Sequence, residues 1–325
     1  WHASLASWWS EVWLGVGTGG FCNAVAEGMA VLHGDGMDLS GAGVTDYAYN
    51  ILLKILVEQG LVGLGLALMA GGSALLVLRK SSTTLFYALL SLVVFSMFSY
   101  PFELLPYRIV AVMIVAWSEA RMGIRVSETG RISAVAVLIV MALVSCQLSS
   151  VIRLRYEADK DYDMIRGLND EAFVKDYYEL LPLESDNAGF LFDFGKLLRS
   201  NARYNDSNAM LRRGALCSAD PMFHVLMGNN YRDMGHCNLA EQSYEQAFAI
   251  MPNRLYPLYQ LMLMYRDNGN VEKARIMAER VLALKPKIES PATKEMKDIA
   301  KEIMHDKRGS RKSSCAEGCY YAIPE

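Results

Sequence analysis

The sequence predicts an all-α protein of two parts: the last four spans of a polytopic transmembrane helix bundle, then a helical solenoid. Three observations carry this. Of the 32 Lys and Arg, only seven fall in residues 1–152, and residues 1–53 have none. Four uncharged apolar runs crowd residues 61–152. Small and aromatic residues then recur with a 34-residue period after residue 187. The 325-residue length suits two domains. At 52% hydrophobic residues and mean hydropathy +0.15, the apolar content is high for a soluble protein.

Residues 1–47 read as an extracytoplasmic loop rich in Trp and Gly. Trp1, Trp8, Trp9 and Trp13 suit a membrane–water interface, and residues 3–13 read as a short amphipathic helix on the outer leaflet. Gly15, Gly17 and Gly20 form GxGxxG, but no βαβ pattern surrounds it, so it reads as a tight turn approaching a helix or a ligand rather than a dinucleotide site. His2 and His33 lack metal-ligand spacing and read as loop residues. The chain opens on Trp1 inside this loop and reads as a fragment of a longer protein.

Residues 48–152 carry the four apolar runs 61–78, 81–102, 109–118 and 132–152. Three are long enough for a hydrocarbon core of ~30 Å at 1.5 Å per residue. The third spans only if residues 104–107 and 120–124 extend it, with Arg108 snorkelling to the interface; otherwise it is a re-entrant hairpin. Arg79 and Lys80 follow the first run, and Arg121, Arg125 and Arg131 follow the third. Basic turns stay cytoplasmic, so the loop 1–47 and the turn holding Tyr100, Glu103 and Arg108 face outward. Four crossings put the charged half outside; three would put it in the cytoplasm.

Residues 153–186 read as a helical linker and residues 187–306 as repeats with a cap. Gly228, Tyr231, Gly235, Ala240, Tyr244, Ala247 and Pro252 occupy tetratricopeptide signature positions, and Tyr265, Gly269, Ala274 and Pro286 recur 34 residues on. A weaker copy starts near Asn187, with Gly195, Leu198 and Tyr204. Residues 292–305 look like a polar-faced capping helix. His224 and His236 read as isolated, solvent-facing positions. Residues 307–325 read as disordered. Such a domain offers a binding surface for a protein partner. The six cysteines show no CxxC spacing, so no zinc or dithiol site is expected; Cys146 reads as a packing residue, and Cys315 and Cys319 as free thiols in the tail. Nothing suggests nucleic-acid binding.

The remaining motif is Tyr49-Asn50, nine residues, then Gly60-Leu61-Val62-Gly63 leading into the first apolar run. With GVGTGGF at 15–21 and SYPFELLPYR at 99–108, it resembles the O-antigen ligase and O-antigen polymerase family, which carries His-[Asn/Ser/Gln]-x9-Gly-x-x-Gly at the end of a large periplasmic loop. The resemblance covers roughly residues 8–125. It implies a bundle of about a dozen helices in the bacterial inner membrane, multi-pass, with the repeat domain in the periplasm. It implies a metal-independent, cofactor-free, inverting glycosyltransferase. The enzyme would move a glycan from an undecaprenyl-diphosphate-linked donor to a glycan or lipid acceptor. Ligase and polymerase share that donor chemistry, and a non-catalytic membrane-anchored scaffold is the alternative.

By this resemblance Tyr49 and Asn50 occupy the catalytic positions. The family's histidine base is Tyr49 here, and a phenol is a poor base near neutral pH. Glu58, Tyr100, Glu103 and Arg108 are the candidate substrate-binding residues. Arg108 reads as an interface anchor or a phosphate contact, and Glu58 as a partner of Lys54 or a catalytic group. Asn50 reads as a helix N-terminal contact or an acceptor contact. Gly60 and Gly63 read as helix-packing residues.

Overall fold

The computed structural model describes residues 1–39, 41, 43, 48–121, 149–168, 170–286 and 288–305, and of 118–121 the backbone alone. Every described element is helical, without a strand among them. The chain forms two compact units: Trp1–Leu32 with Val44–Asp220, and His33–Gly43 with Pro221–Glu325.

In the first unit, α1 (His2–Trp8) and α2 (Phe21–Gly34) precede the apolar helices. The helix expected over 3–13 stops at Trp8, and the chain then turns through Trp9–Leu14. The Trp8 indole N–H donates to the Val12 carbonyl at 3.1 Å, closing that turn. Helix α2 buries Phe21, Ala24, Val25, Gly28 and Met29, an i, i+3, i+4, i+7, i+8 stripe. At Gly28 the backbone of Ala3 passes so close that a Cβ could not fit.

Helix α3 (Ile51–Ser81) is broken at Gly60, where φ is 65° and ψ −165°, a conformation open essentially only to glycine. It ends at Ser82, which donates its N–H to the Leu78 carbonyl at 2.8 Å and also caps α4 (Thr83–Phe95). The apolar run 81–102 is therefore not one helix. At 13 residues α4 rises about 20 Å, short of the hydrocarbon core. Two features stop it. The Ser96 hydroxyl donates back to the Val93 carbonyl at 2.6 Å, and Pro101 disfavours helix at Tyr100, starting instead a 3-10 turn over Pro101–Glu103. Helix α5 (Leu105–Arg121) rises about 25 Å over its 17 residues. Among the described residues only α3 is both long and apolar enough to cross a bilayer. The run 132–152 lies outside the described residues up to 148, as do Arg125, Arg131, Cys146, Cys315, Cys319 and the tail 307–325.

Residues 149–165 form α6, followed by a 3-10 turn and α7 (Val174–Leu180). The stretch expected to be a linker takes part in a core. Tyr162 and Tyr177 pack with Phe190 and Phe194 of α8 (Ala188–Ser200), the Tyr177 and Phe194 rings stacking at 5.1 Å. The Tyr162 hydroxyl donates to Asp193 at 2.7 Å. Burial pushes the Tyr177 phenol up to about 12, and burial plus the Asp193 carboxylate raise Tyr162 further, so both stay protonated.

Helix α8 is capped by Asn187, whose side chain accepts from the Phe190 N–H, and pairs with α9 (Tyr204–Cys217). The second unit repeats this hairpin with α10 (Met222–Asp233) and α11 (Cys237–Ile250), then α12 (Leu255–Asp267) and α13 (Val271–Ala283). First helices of the pairs thus begin at 188, 222 and 255, close to the sequence period. Helix α14 (Pro291–His305) turns Ala300 and Ile303 into the α10–α13 core, and its Lys297 donates to the Leu284 carbonyl at the end of α13. Ser290 and Thr293 bond reciprocally at its start. His224 is half-buried rather than solvent-facing: desolvation pushes its imidazole down to about 4, so it stays neutral at physiological pH. His236 is exposed.

Each hairpin turns through a left-handed residue. Gly235 (φ 77°) and Gly269 (φ 74°) hold it in two pairs, and the following amide donates back to Tyr231 and Tyr265 respectively. In the first pair Ala202 sits there at φ 55°, with the Arg203 N–H bonded to the Leu198 carbonyl. A Cβ costs roughly 1–2 kcal/mol in this region, and the extra freedom glycine gains when unfolded returns part of that. Ala202→Gly should therefore stabilise the protein by about 0.5–1 kcal/mol. Urea titration should show a higher midpoint; an unchanged or lower one refutes the strain at Ala202.

Candidate functional site

The break in α3 is where the glycine motifs meet. A regular helix would bond the Leu61 N–H to the Val57 carbonyl and the Val62 N–H to the Glu58 carbonyl. Here Leu61 donates to Val12 at 3.0 Å and Val62 to Trp13 at 3.2 Å. The released carbonyls accept from the same loop: Val57 from the Val16 N–H at 3.0 Å, Glu58 from the Gly17 N–H at 2.9 Å. Four main-chain groups that would be orphaned in an apolar setting are thus satisfied by residues 12–17.

The latch explains the glycines. At Gly15 (φ 68°) an added Cβ would strike the Val57–Gln59 backbone. At Gly60 it would strike the Trp13 carbonyl and Leu14 amide. Gly17 needs its φ of 98°, and a Cβ at Gly20 would crowd Val16. At Gly63 a Cβ would run into the Gln59 side chain, folded over it by the break. Gly60 and Gly63 therefore permit a broken helix rather than contact between neighbouring helices.

Past Gly17 the loop closes over Glu58. Its carboxylate is almost fully buried and accepts from the backbone N–H groups of Gly19 and Phe21, with the Lys54 ammonium at 4.0 Å. Phe21 opens α2, so the acid sits at the positive end of a helix. Lys54 also contacts the Glu103 carboxylate closely, 49 residues along the chain. Glu103 lies 3.8 Å from Arg108, whose guanidinium donates to the carbonyls of Phe102 and Glu103. Glu58, Lys54, Glu103 and Arg108 form a row of alternating charge joining the starts of α3 and α5.

Tyr49 and Tyr100 meet beside this row, rings edge to face at 5.6 Å, with Tyr49 56% exposed. Asn50 caps α3: its Oδ1 accepts from the Leu53 N–H at 3.0 Å and its Nδ2 donates to the Met97 carbonyl at 3.3 Å. With the Ile51 N–H bonded to the Ser96 carbonyl at 3.0 Å, Asn50 staples the start of α3 to the end of α4. Its amide is engaged on both sides.

Six candidate residues therefore gather in one place: Tyr49, Asn50, Glu58, Tyr100, Glu103 and Arg108. Their roles differ. Asn50 and Glu58 tie main chain together, whereas Tyr49 and the 54%-exposed side chain of Arg108 are open to an incoming group. Sequence reasoning gave Lys54 only its i+4 partner and missed its bond to Glu103. The charge balance of SYPFELLPYR, one acid and one base beside a lone upstream Lys, was the available signal. No cluster of three metal-ligating side chains occurs among the described residues.

No family model matches the sequence, and no curated protein matches it. Eight solved chains match, two of them crystal structures of MamA at 19% identity. They cover 40% and 48% of this chain and 82% and 88% of their own, with TM-scores of 0.32 and 0.35. Scores this low leave fold and function to be argued from the chain itself.

Proposed function

We propose that the chain is the outer mouth and repeat domain of a multi-pass bacterial inner-membrane glycan ligase of the O-antigen ligase type. It transfers a glycan from an undecaprenyl-diphosphate carrier to a glycan or lipid acceptor, without metal or cofactor. A related polysaccharide polymerase would use the same donor chemistry. The tetratricopeptide solenoid lies in the periplasm and recruits a protein partner. One observation carries the reading: the Asn50-x9-Gly60-x-x-Gly63 register is a folded device. Asn50 staples two apolar helices, Gly60 breaks one of them, and a charged row with two tyrosines stands at the break. Arg108 is the cation placed to meet a diphosphate, and Tyr49 with Tyr100 the surface for a sugar ring.

A scaffold without catalysis is the second reading. It is favoured by Tyr49 at the family's histidine position and by Glu103, which already engages both Lys54 and Arg108. The whole multi-pass protein to which this chain belongs, reconstituted in vesicles with a polyprenyl-diphosphate oligosaccharide, decides between them. The ligase reading expects transfer that survives chelator, falling about 10–100-fold in Arg108→Ala, the loss of one charge-assisted contact. No transfer by the wild type supports the scaffold. Unchanged turnover in both Arg108→Ala and Tyr49→Phe removes these residues from the site.

A further inference from the structure

We propose that the turn Trp9–Leu14 is a bilayer-interface anchor that fixes the depth of the α3 break at the headgroup level. The inference rests on the membrane reading above and goes beyond it by naming the residues that set the depth. Trp9, Trp13 and Leu14 are 75%, 69% and 72% exposed, large apolar side chains on one short turn. That turn is tied to the break through the carbonyls of Val12 and Trp13, which accept from Leu61 and Val62. The Trp13 backbone therefore lies level with the first residues of the uncharged arm.

The other end of the arm supplies the second observation. From Leu61 to Arg79 is 18 residues, or about 27 Å of helix, close to the ~30 Å hydrocarbon thickness. Arg79 and Lys80 are exposed there. The arm thus carries indoles, which settle at either membrane interface, at one end and basic side chains, which favour the cytoplasmic face, at the other. The occupant of the Trp9–Leu14 surface is the headgroup–acyl boundary. Residues 1–53 contain no Lys or Arg, so cationic attraction to anionic lipid plays no part in this contact, and the one charge on the turn, Glu11, is exposed and can stay in water.

The test uses the full chain in phosphatidylcholine vesicles brominated at shallow or deep acyl positions. Five tryptophans report: Trp1, Trp8, Trp9, Trp13 and Trp117. Shallow bromines should quench emission about twofold more than deep ones, and Trp9→Phe/Trp13→Phe should abolish most of that difference. Both side chains are exposed and the latch uses only backbone, so the double variant should keep the wild-type circular dichroism. The unsubstituted protein gives an independent reading: no shallow quenching at all refutes the anchor. Vesicle flotation after an alkaline wash separates the failures. A protein that floats but is quenched equally with and without Trp9 and Trp13 overturns the anchor alone. One that does not float overturns the membrane reading and the anchor together. Indoles shielded from bromine and freed only on dissociation of a dimer would give the surface to a second copy, and overturn the proposal.

Discussion

Replacing Gly60 by alanine should release the loop 12–17 from α3. The substituted residue would have to hold φ 65° and ψ −165°, at a strain of about 1–3 kcal/mol, with its Cβ pressed into the Trp13 carbonyl. That obstacle is backbone held by two hydrogen bonds, so relief by a side-chain rotation is unavailable, and overpacking adds roughly 1–3 kcal/mol. The helix has another state open to it. If residue 60 turns helical, Leu61 and Val62 can donate to Val57 and Glu58 again, and the loop loses all four latch bonds. The latched state should lose about 3 kcal/mol relative to the straightened one, equal to about two decades of amide exchange. The Val16 and Gly17 amides should exchange about 100-fold faster, while Leu53 and Lys54, at the capped start of α3, stay protected. Equal protection at Val16 and Gly17 would show that the break does not depend on glycine.

The consequence reaches the charged row. Glu58 owes its two backbone donors to Gly19 and Phe21, on the segment that the latch positions. A released loop would leave the buried carboxylate with Lys54, and Lys54 is shared with Glu103. The geometry at Arg108 therefore depends on a glycine 48 residues upstream. Gly60→Ala is expected to lower any activity at the charged row without touching Tyr49 or Arg108.

How legible this was differs between the halves. The all-helical class and the hairpin spacing are written in the residues that let helices approach, Gly228, Ala240 and Ala247 among them, because close approach admits few side chains. Caps are legible for the same reason: Asn187 and Asn270 each accept from an amide three residues on. The apolar half is written mainly in hydropathy, which reports where chain can be buried but not where a helix ends. The run 81–102 is uncharged throughout, yet its helix stops at Phe95. Ser96 and Pro101 were the local signals, and apolar averaging hides them. The break at Gly60 was less accessible still. A glycine in an apolar helix ordinarily allows packing; what makes this one a break is a loop 43 to 48 residues earlier that offers exactly matched donors and acceptors only once folded. His224 was misplaced because an isolated polar residue looks exposed until its neighbours in space are known.

Gly228→Ala should destabilise the second unit by about 2–3 kcal/mol, a large effect for one added methyl. Its Cβ would lie 2.6 Å from Cε1 and 2.8 Å from Cδ1 of Tyr244. Tyr244 is fully buried and its hydroxyl donates to Asn229 at 2.6 Å, so the ring cannot withdraw without giving up that bond. Tyr244→Ala should cost about 3–5 kcal/mol by leaving a cavity. The next repeat suggests the remedy. Thirty-four residues on, Met262 stands at the glycine position and Ala278 at the tyrosine position, both fully buried. Large and small have changed places while the space between the helices remains filled. The double variant Gly228→Met/Tyr244→Ala should therefore be more stable than the sum of its single changes by at least about 1 kcal/mol, the coupling expected of residues in contact. Guanidinium denaturation of the four proteins, followed by helical circular dichroism, closes the cycle. Additive costs would mean that each position is set by neighbours outside the pair.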